Sequence, residues 1–276
     1  MIKPHNLYIT TMRKIKLVII ATILFCSTVH SQTSIDSSRI VKVLTFNILH
    51  GSTTLGDFDL DVIAAVIINA DPDLVALQEV DFKTNRARKY DLVTELAYRT
   101  SLAPLFGKAM PYDGGEYGEG ILSKHSFITS RNVSLPCSPG NEPRAALQVV
   151  CMLPSGDTIS FIGTHLDHTN DEHDRIMQAN RINEAFSDIK YPAIIAGDLN
   201  AVPGSETISI FEEMWTPTYD AEGPDNTHPS NDPKKKIDYI MYYPQDSWRV
   251  ISTQVICDTI ASDHCAYLVS LELLNR

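Results

Sequence analysis

Short apolar segments alternate with helical segments along most of this chain, and that order restricts its fold more than any other feature. Helices are predicted over 60–68, with Asp59 as the capping residue, over 90–100 and over 171–189. The predicted strands share β-branched residues and end at Gly, Pro or polar positions. They are 39–46, 73–77, 121–122, 149–153, 158–163, 192–196, 236–243, 248–257 and 266–274. We expect one α/β domain over 39–275, with two sheets and helices outside them.

The first 31 residues are predicted to be an export signal rather than part of the fold. Arg13, Lys14 and Lys16 precede an apolar run of nine residues, Leu17 to Phe25, and small residues follow. This run is shorter than the roughly 20 residues that a membrane-spanning helix needs. Cleavage is expected near Ser31, translation could start at Met12, and an uncleaved membrane anchor is the alternative. We therefore expect a periplasmic or extracellular protein.

The charge of the chain argues against a protein that clamps long nucleic acids. The formal net charge is −11, and residues 1–31 hold four of the 23 Lys and Arg residues but no acid. Removal of that segment would make the remainder still more acidic. Because neutralisation of phosphates by basic residues supplies most non-specific affinity for nucleic acid, smaller or lipid-like phosphate substrates fit this balance better.

Polar residues follow the predicted strands at six places along the chain. Ligands of layered α/β folds collect at such strand ends, and helix caps or turn residues alone are a poor explanation for six of them. The six positions are Asn47, Glu79, His165, Asp198 with Asn200, Asp238, and Asp263 with His264.

These residue types suit the hydrolysis of a phosphate ester. Glu79 and Asp263 offer hard oxygen ligands for one or two Mg²⁺ or Mn²⁺ ions, and Asn47 can assist without adding repulsion.

His165 and His264 can donate to the phosphate or act as acid and base. The candidate partner that would orient His264 is Asp238. Asp198 can orient or deprotonate water, and Asn200 can hold a phosphate oxygen.

The ordered motifs resemble those of the endonuclease/exonuclease/phosphatase superfamily. They are Thr45-Phe46-Asn47, Leu77-Gln78-Glu79-Val80, Thr164-His165-Leu166, Gly197-Asp198-Leu199-Asn200, Ile237-Asp238-Tyr239-Ile240 and Ser262-Asp263-His264. The resemblance covers about residues 40–275 and implies the deoxyribonuclease I-like fold, a four-layered α/β sandwich of two packed mixed sheets with helices on both outer faces.

The resemblance also implies roles for individual residues. Glu79 would be the principal metal ligand, with Asn47 and Asp263, while His165 and Asn200 would contact the phosphate. Asp198 would align or activate the attacking water, and His264 with Asp238 would act as acid/base or transition-state donor.

Further residues are assigned by the same resemblance or by their spacing. Arg144 stands where relatives carry a phosphate-contacting arginine, with a surface ion pair as the alternative. The glycine-rich segment 114–120 is expected to be a loop, and in it Glu119 and Gly120 replace the Asn and Ala usual in the family. Arg175 and Gln178 could support the loop after His165, where Asp167 and His168 also lie, or they could be solvated residues of a helix. His228 belongs to a polar loop, 221–236, that is expected to rim a site, and an ordinary loop histidine is the favoured interpretation of His228 itself.

Cysteine usage and substrate choice leave alternatives open. Export would leave four cysteines, Cys137, Cys151, Cys257 and Cys265, which allow three pairings or none. The favoured activity is an exported, metal-dependent phosphoesterase that acts on a lipid head group or small molecule. A secreted nuclease and a catalytically silent binding protein of the same fold are the alternatives, and no obligate protein partner is evident.

Overall fold

The computed structural model describes residues 36–219, 223 and 225–274, so the predicted signal over 1–31 lies outside the described residues. Within these ranges the chain forms twelve strands and four α-helices. The strands are β1 Ile40–Asn47, β2 Leu74–Phe82, β3 Ala103–Tyr112, β4 Gly115–Ser123, β5 Phe127–Ser134, β6 Ala145–Met152, β7 Thr158–His165, β8 Ala193–Asp198, β9 Thr216–Pro217, β10 Asp238–Tyr243, β11 Trp248–Ile256 and β12 Ala266–Leu273. The helices are α1 Leu60–Ala70, α2 Leu92–Thr100, α3 His173–Phe186 and α4 Glu206–Glu212.

The strands form two six-stranded mixed sheets. One has the order β11-β12-β1-β2-β4-β3 and the other β5-β6-β7-β8-β10-β9. β1 pairs in parallel with β2 and β7 with β8, while the remaining neighbours are antiparallel. A strand ends beside the point where its antiparallel neighbour begins. In the first sheet the C-terminal ends of β1 and β2 therefore lie at the same edge as the start of β12. In the second sheet those of β7 and β8 lie at the same edge as the start of β10.

Three apolar clusters fill the space between four layers. One joins the first sheet to α1 and α2 through residues such as Leu44 and Ile63. The second lies between the sheets and includes Val43 and Phe161, and the third joins the second sheet to α3 and α4 and includes Ile182. The four-layered α/β sandwich expected from the sequence is therefore confirmed.

Local sequence explains where the helices begin and end. The side chain of Asp59 caps α1 by accepting from the backbone N–H of Asp61, an interaction that stabilises such helix ends by ~1 kcal/mol. The helix stops at Asp71, which adopts a left-handed conformation before Pro72, a residue that cannot continue a helix. No helix among the described residues is long and apolar enough to cross a membrane.

The glycine-rich segment was predicted to be a loop, and that prediction is wrong because most of it forms β4. A Cβ built on Gly118 would lie 2.0 Å from the carbonyl oxygen of Gly107 in β3, and one on Gly115 would lie 2.4 Å from the backbone of Lys83. These glycines therefore permit close approach between backbones instead of providing loop flexibility. The sequence analysis also missed β3, β5, β9 and α4, and it placed the end of β2 five residues too early.

Among the cysteines that the structure describes, one disulfide forms, between Cys257 just after β11 and Cys265 just before β12. Cys137 and Cys151 are free thiols, and Cys151 is buried. The bridge closes the loop that carries Ser262, Asp263 and His264.

Candidate active site

The strand-end residues singled out in the sequence meet at one edge of the sandwich, across the gap between the two sheets. In the second sheet His165 of β7, Asp198 of β8 and Asp238 of β10 are direct neighbours in the strand register. In the first sheet β1 ends with Asn47, one strand away from Glu79 of β2. Asn47 spans the two sheets through its side-chain amide, which donates to Glu79 Oε1 and to Asp198 Oδ2, at 3.2 Å each.

Asp198 lies at the centre of this cluster. Besides the bond from Asn47, its Oδ2 is 3.5 Å from Nε2 of His165 and 3.6 Å from Nε2 of His264, and its Oδ1 accepts from the backbone N–H of Asn200. The carboxylate is almost completely buried. Burial raises the pKa of Asp198, and the nearby charge of His264 opposes that shift in part. A carboxyl group with a raised pKa is suited to accept a proton near neutral pH.

His264 is held by Asp238, as the sequence analysis expected. Its Nδ1 is 3.0 and 3.2 Å from the two carboxylate oxygens of Asp238. Burial by itself lowers the pKa of His264, but Asp238 and Asp198 raise it to about 10. The ring is therefore an imidazolium at neutral pH, with Nδ1–H donated to Asp238 and Nε2–H turned towards Asp198 and the cavity.

The surroundings of His165 fix both its charge and its tautomer. Burial and the adjacent Arg144 guanidinium hold the pKa of His165 well below its ordinary value, so the ring is neutral. Nη1 of Arg144 lies 3.1 Å from Nδ1 of His165, and a guanidinium can only donate. Nδ1 must therefore carry the lone pair, and Nε2 carries the proton, which is directed towards Asp198 Oδ2 at 3.5 Å. His165 thus presents an N–H donor.

Arg144 is buried rather than at the surface, although it does form an ion pair, with the part-exposed Glu142. Only 2% of Arg144 is exposed, and besides His165 it contacts His168 at 3.2 Å and Glu142 at 3.0 Å. The guanidinium therefore positions His165 and lines the cavity described below.

Glu79 has the charge and surroundings of a cation ligand. Burial alone would raise the pKa of Glu79, but hydrogen bonds from His50 and Asn47 hold it below its ordinary value, so the carboxylate is ionised. Glu79 sits at a β-bulge with a φ of +57°, a conformation that turns its side chain out of the regular strand pattern. Strained backbone of this kind concentrates at functional sites, and Leu49, His50 and Asn200 share it here.

The oxygen-rich donor set fits a divalent ion such as Mg²⁺ or Mn²⁺. Glu79 and Asp263 line the same cavity, and Asn47 is hydrogen-bonded to Glu79. Asn47 directs its nitrogen to Glu79, while its oxygen accepts from Leu49 N–H at 3.1 Å. Ligand atoms of His228, Asp263 and His264 lie within 4.8 Å of one another, as do those of Asp198, Asp238 and His264, but a protonated His264 offers no lone pair to a metal.

These side chains surround a cavity of about 440 Å³. Its lining residues are His50, Glu79, Arg86, Met110, Tyr112, Tyr117, Glu142, Arg144, His165, His168, Asp198, Asn200, His228, Asp263 and His264. The polar loop that was expected to rim a site supplies His228, whose ring centre is 4.7 Å from that of His264. The volume falls within the range typical of small-molecule sites.

A supporting layer lies behind His165, as the sequence spacing suggested. Gln178 of α3 accepts from the backbone N–H of Asp167, and Arg175 donates to the carbonyl oxygens of Asp167 and Thr169. Both side chains are buried and hold the loop after β7. Asp167 is itself buried beside Thr169 and does not line the cavity, whereas His168 does.

Glu119, which replaces the usual asparagine, is fully buried beneath the site. Neither of its carboxyl oxygens has a hydrogen-bond partner among the described residues. Burial raises the pKa of Glu119 to about 8, so the group is neutral near pH 7. A neutral acid at this position does not repel a bound phosphate.

Six lining residues were missed by the sequence analysis: His50, Arg86, Met110, Tyr112, Tyr117 and Glu142. His50 follows a recognised motif by three residues, and its Nδ1 lies 3.3 Å from Glu79 Oε2. Arg86 comes from the segment after β2, and Met110, Tyr112 and Tyr117 come from the β3–β4 hairpin, which the sequence analysis did not place near the site. Glu142 lies between β5 and β6, two residues before Arg144. The sequence signal that could have indicated Tyr112 and Tyr117 as lining residues was the cluster of tyrosine and glycine residues in 112–120.

Comparison with known proteins agrees with this architecture. The profile of the Endonuclease/Exonuclease/phosphatase family matches residues 44–264. No curated protein sequence is significantly similar to the chain.

Solved structures share the fold at low sequence identity. An endonuclease/exonuclease/phosphatase from Beutenbergia cavernae is 24% identical, with 85% of this chain and 72% of that chain covered and a TM-score of 0.69. One from Bacteroides vulgatus is 22% identical, with coverage of 85% and 99% and a TM-score of 0.69. A mannosyl-6-phosphatase from Bacteroides thetaiotaomicron is 18% identical, with coverage of 84% and 99% and a TM-score of 0.67.

Proposed function

Because the chain belongs to the endonuclease/exonuclease/phosphatase family, we propose that it is an exported, Mg²⁺- or Mn²⁺-dependent hydrolase of small phosphate esters. The observation that carries the proposal is the contact of the buried Asp198 carboxylate with Asn47, His165 and His264, all within 3.6 Å. These side chains come from both sheets, and they combine a proton acceptor, a neutral N–H donor and a cationic donor around one point.

Each side chain has a defined task in the proposed reaction. A water molecule attacks phosphorus, and Asp198 accepts the proton that this water loses. His165 and Asn200 hold phosphoryl oxygens, and the His264 imidazolium donates to the charge that develops on them. The bond from phosphorus to the ester oxygen breaks, and the released alcohol oxygen takes a proton from solvent. Glu79, Asp263 and Asn47 would hold the ion, which supplies positive charge to the phosphate and the leaving oxygen.

Size and charge favour a small substrate. The cavity holds a small molecule, and the acidic chain would repel a long polyanion. A structural neighbour named as a mannosyl-6-phosphatase supports a small phosphate ester as well.

Export is supported by the basic and apolar N-terminus and by the Cys257–Cys265 disulfide, since disulfides persist in oxidising compartments.

The test is hydrolysis by the purified mature chain with Mg²⁺, with Mn²⁺ and with excess chelator. The substrates are sugar and inositol phosphates, a chromogenic phosphodiester, sphingomyelin, phosphatidylinositol, plasmid DNA and RNA. We expect metal-dependent turnover of a small ester, stopped by chelator and restored by the metal. Preferred turnover of DNA or RNA would instead make the protein a nuclease. Turnover in excess chelator would reject the metal, and ion binding without any turnover would favour a binding protein.

A further inference from the structure

One end of the active-site cavity is lined by an arginine and two tyrosines that the proposed chemistry does not use. Arg86 follows β2, and Tyr112 and Tyr117 lie on either side of the β3–β4 turn. The Arg86 guanidinium carbon is 4.5 Å from the ring centre of Tyr112 and 5.7 Å from that of Tyr117. Arg144 lies on the other side, 5.9 Å from the ring centre of Tyr117, and so joins this wall to His165.

Arg86 is fixed in place and keeps one nitrogen available. Its Nε and Nη2 donate to the two carboxylate oxygens of the fully buried Asp81, at 2.7 and 2.9 Å. Its Nη1 has no hydrogen-bond partner among the described residues. A paired fork of this kind is rigid, so the remaining N–H groups can donate to a ligand with little further loss of side-chain entropy.

The positive charges at this end are already compensated. Arg86 is paired with Asp81, and Arg144 contacts Glu142 at 3.0 Å. A second phosphate or carboxylate on the substrate would therefore gain little here, while Glu142 would repel it. Neutral hydroxyl groups can accept from Arg86 and the tyrosine hydroxyls and can donate to Glu142.

Stacked bases and acyl chains fit this wall poorly. Tyr117 is only 5% exposed and Tyr112, 36% exposed, has Arg86 over one face, so the wall offers stacking area for a base on Tyr112 alone. Met110 is the one residue of the described lining without a hydrogen-bonding side chain, so that lining holds no run of apolar side chains for a fatty acyl tail. A hydroxyl-rich ring matches the distribution of donors and acceptors.

We propose that Arg86, Tyr112, Tyr117 and Glu142 form a subsite for the alcohol part of the substrate, and that this part is a neutral polyhydroxylated ring such as a sugar or cyclitol. The inference rests on the proposed phosphoesterase function and specifies its substrate class. Arg86 would determine specificity without taking part in the reaction.

The experiment compares matched esters that differ only in the alcohol. Mannose 6-phosphate and myo-inositol 1-phosphate are compared with methyl phosphate, and the methyl diester of mannose 6-phosphate is compared with dimethyl phosphate. Arg86→Lys keeps a cation for Asp81 but removes Nη1, the nitrogen that does not bond to Asp81. Tyr112→Leu removes part of the wall and leaves no buried charge unpaired. Arg88→Lys is the control, because Arg88 lies over Phe58 and does not line the cavity.

We expect the wild type to prefer the ring esters, and Arg86→Lys to lower the ratio of kcat/KM between ring and methyl esters about tenfold, through KM. Tyr112→Leu should lower the same ratio, and Arg88→Lys should leave it unchanged.

An equal loss on both esters, or faster turnover of mannose 1,6-bisphosphate than of mannose 6-phosphate, would overturn the subsite. Turnover of other esters but not of ring esters would overturn it and leave the proposed function standing. No metal-dependent turnover of any ester would reject the proposed function itself.

Discussion

Glu79 and His264 show at the scale of single residues how neighbours set the charge that the chemistry needs. Glu79 is kept ionised by donors from His50 and Asn47, and His264 is kept protonated by two buried carboxylates. Neither state follows from residue type alone, since burial by itself would favour the neutral form of both groups. The charges are therefore a product of the assembled site.

Removal of either charge is expected to stop most hydrolysis. Glu79→Gln weakens the ion site, and His264→Ala removes the cationic donor, so each should lower kcat at least about 10²-fold. Steady-state kinetics measures the loss. His264→Ala also leaves Asp238 uncompensated and should lower stability by ~3 kcal/mol, so circular dichroism must accompany the assay. The control is His173→Ala, because His173 is exposed at the start of α3. Retained activity in either variant would refute the assigned role.

Lys236 gives a pH-dependent stability that can be measured separately from activity. Its Nζ is buried, donates to the carbonyl oxygen of Asp238 at 2.8 Å and lies 3.5 Å from the ring centre of Tyr267. Burial lowers the pKa of Lys236 to about 8, whereas the unfolded chain keeps it near 10.4. Between these values the unfolded state holds more protons, so the free energy of unfolding should rise with pH.

The comparison is urea unfolding of the wild type and Lys236→Met from pH 7 to pH 11. The stability of the wild type relative to the variant should rise by up to about 3 kcal/mol between pH 8 and pH 10.4, at about 1.4 kcal/mol per pKa unit. Parallel stability curves for the two proteins would contradict the assignment.

The β3–β4 hairpin illustrates at the scale of elements how a local signal can be misread. Gly118 and Gly120 are characteristic of a loop when read in sequence, yet both lie within β4, where an added Cβ would be 2.0 Å from Gly107 O and 2.8 Å from Val93 Cγ2. Each of these positions needs glycine because a neighbouring element lies too close for a Cβ atom. This closeness cannot be predicted from the local sequence.

Gly118→Ala is therefore expected to destabilise the protein by at least about 2 kcal/mol, because backbone cannot move aside as a flexible side chain can. Gly163→Ala in β7 is the matched control, since its Cβ would meet Ala76 Cβ at an ordinary 3.4 Å, and a change within about 1 kcal/mol is expected. Urea denaturation at neutral pH measures both. Similar losses in the two variants would contradict the steric explanation.

The connection between β11 and β12 should depend on its disulfide. The bridge closes an eight-residue separation around Asp263 and His264, and such a loop gains about 2–3 kcal/mol from the cross-link. Reductant should therefore lower both Tm and hydrolysis rate. A variant with Cys137→Ser and Cys151→Ser should respond like the wild type, and one with Cys257→Ser and Cys265→Ser should be insensitive to reductant. Loss of the response in the first variant would contradict the assignment.

The basic residues and the apolar run at the N-terminus predict where the whole protein is located in a cell. When the full chain is expressed in a bacterial host, we expect the mature protein outside the cytoplasm with an N-terminus near Gln32. Cell fractionation and N-terminal sequencing measure this, with Leu17–Phe25 replaced by a polar segment as the control. A full-length chain retained in the membrane would support the anchor alternative, and one in the cytoplasm would reject export.

The sequence by itself determined the layered α/β class, most strands and the strand-end residues, because hydrophobic periodicity and the polar residues at strand ends are local properties. Asn47, Glu79, His165, Asp198, Asp238 and His264 could all be found in this way. Only the tertiary structure decided which cysteines pair, that Arg144 and Glu119 are buried, and that Arg86 and Tyr112 reach the cavity. Those facts depend on contacts between segments far apart in the chain, and on the loss of water around charged groups. The local sequence contains no information about such contacts or about this loss of water.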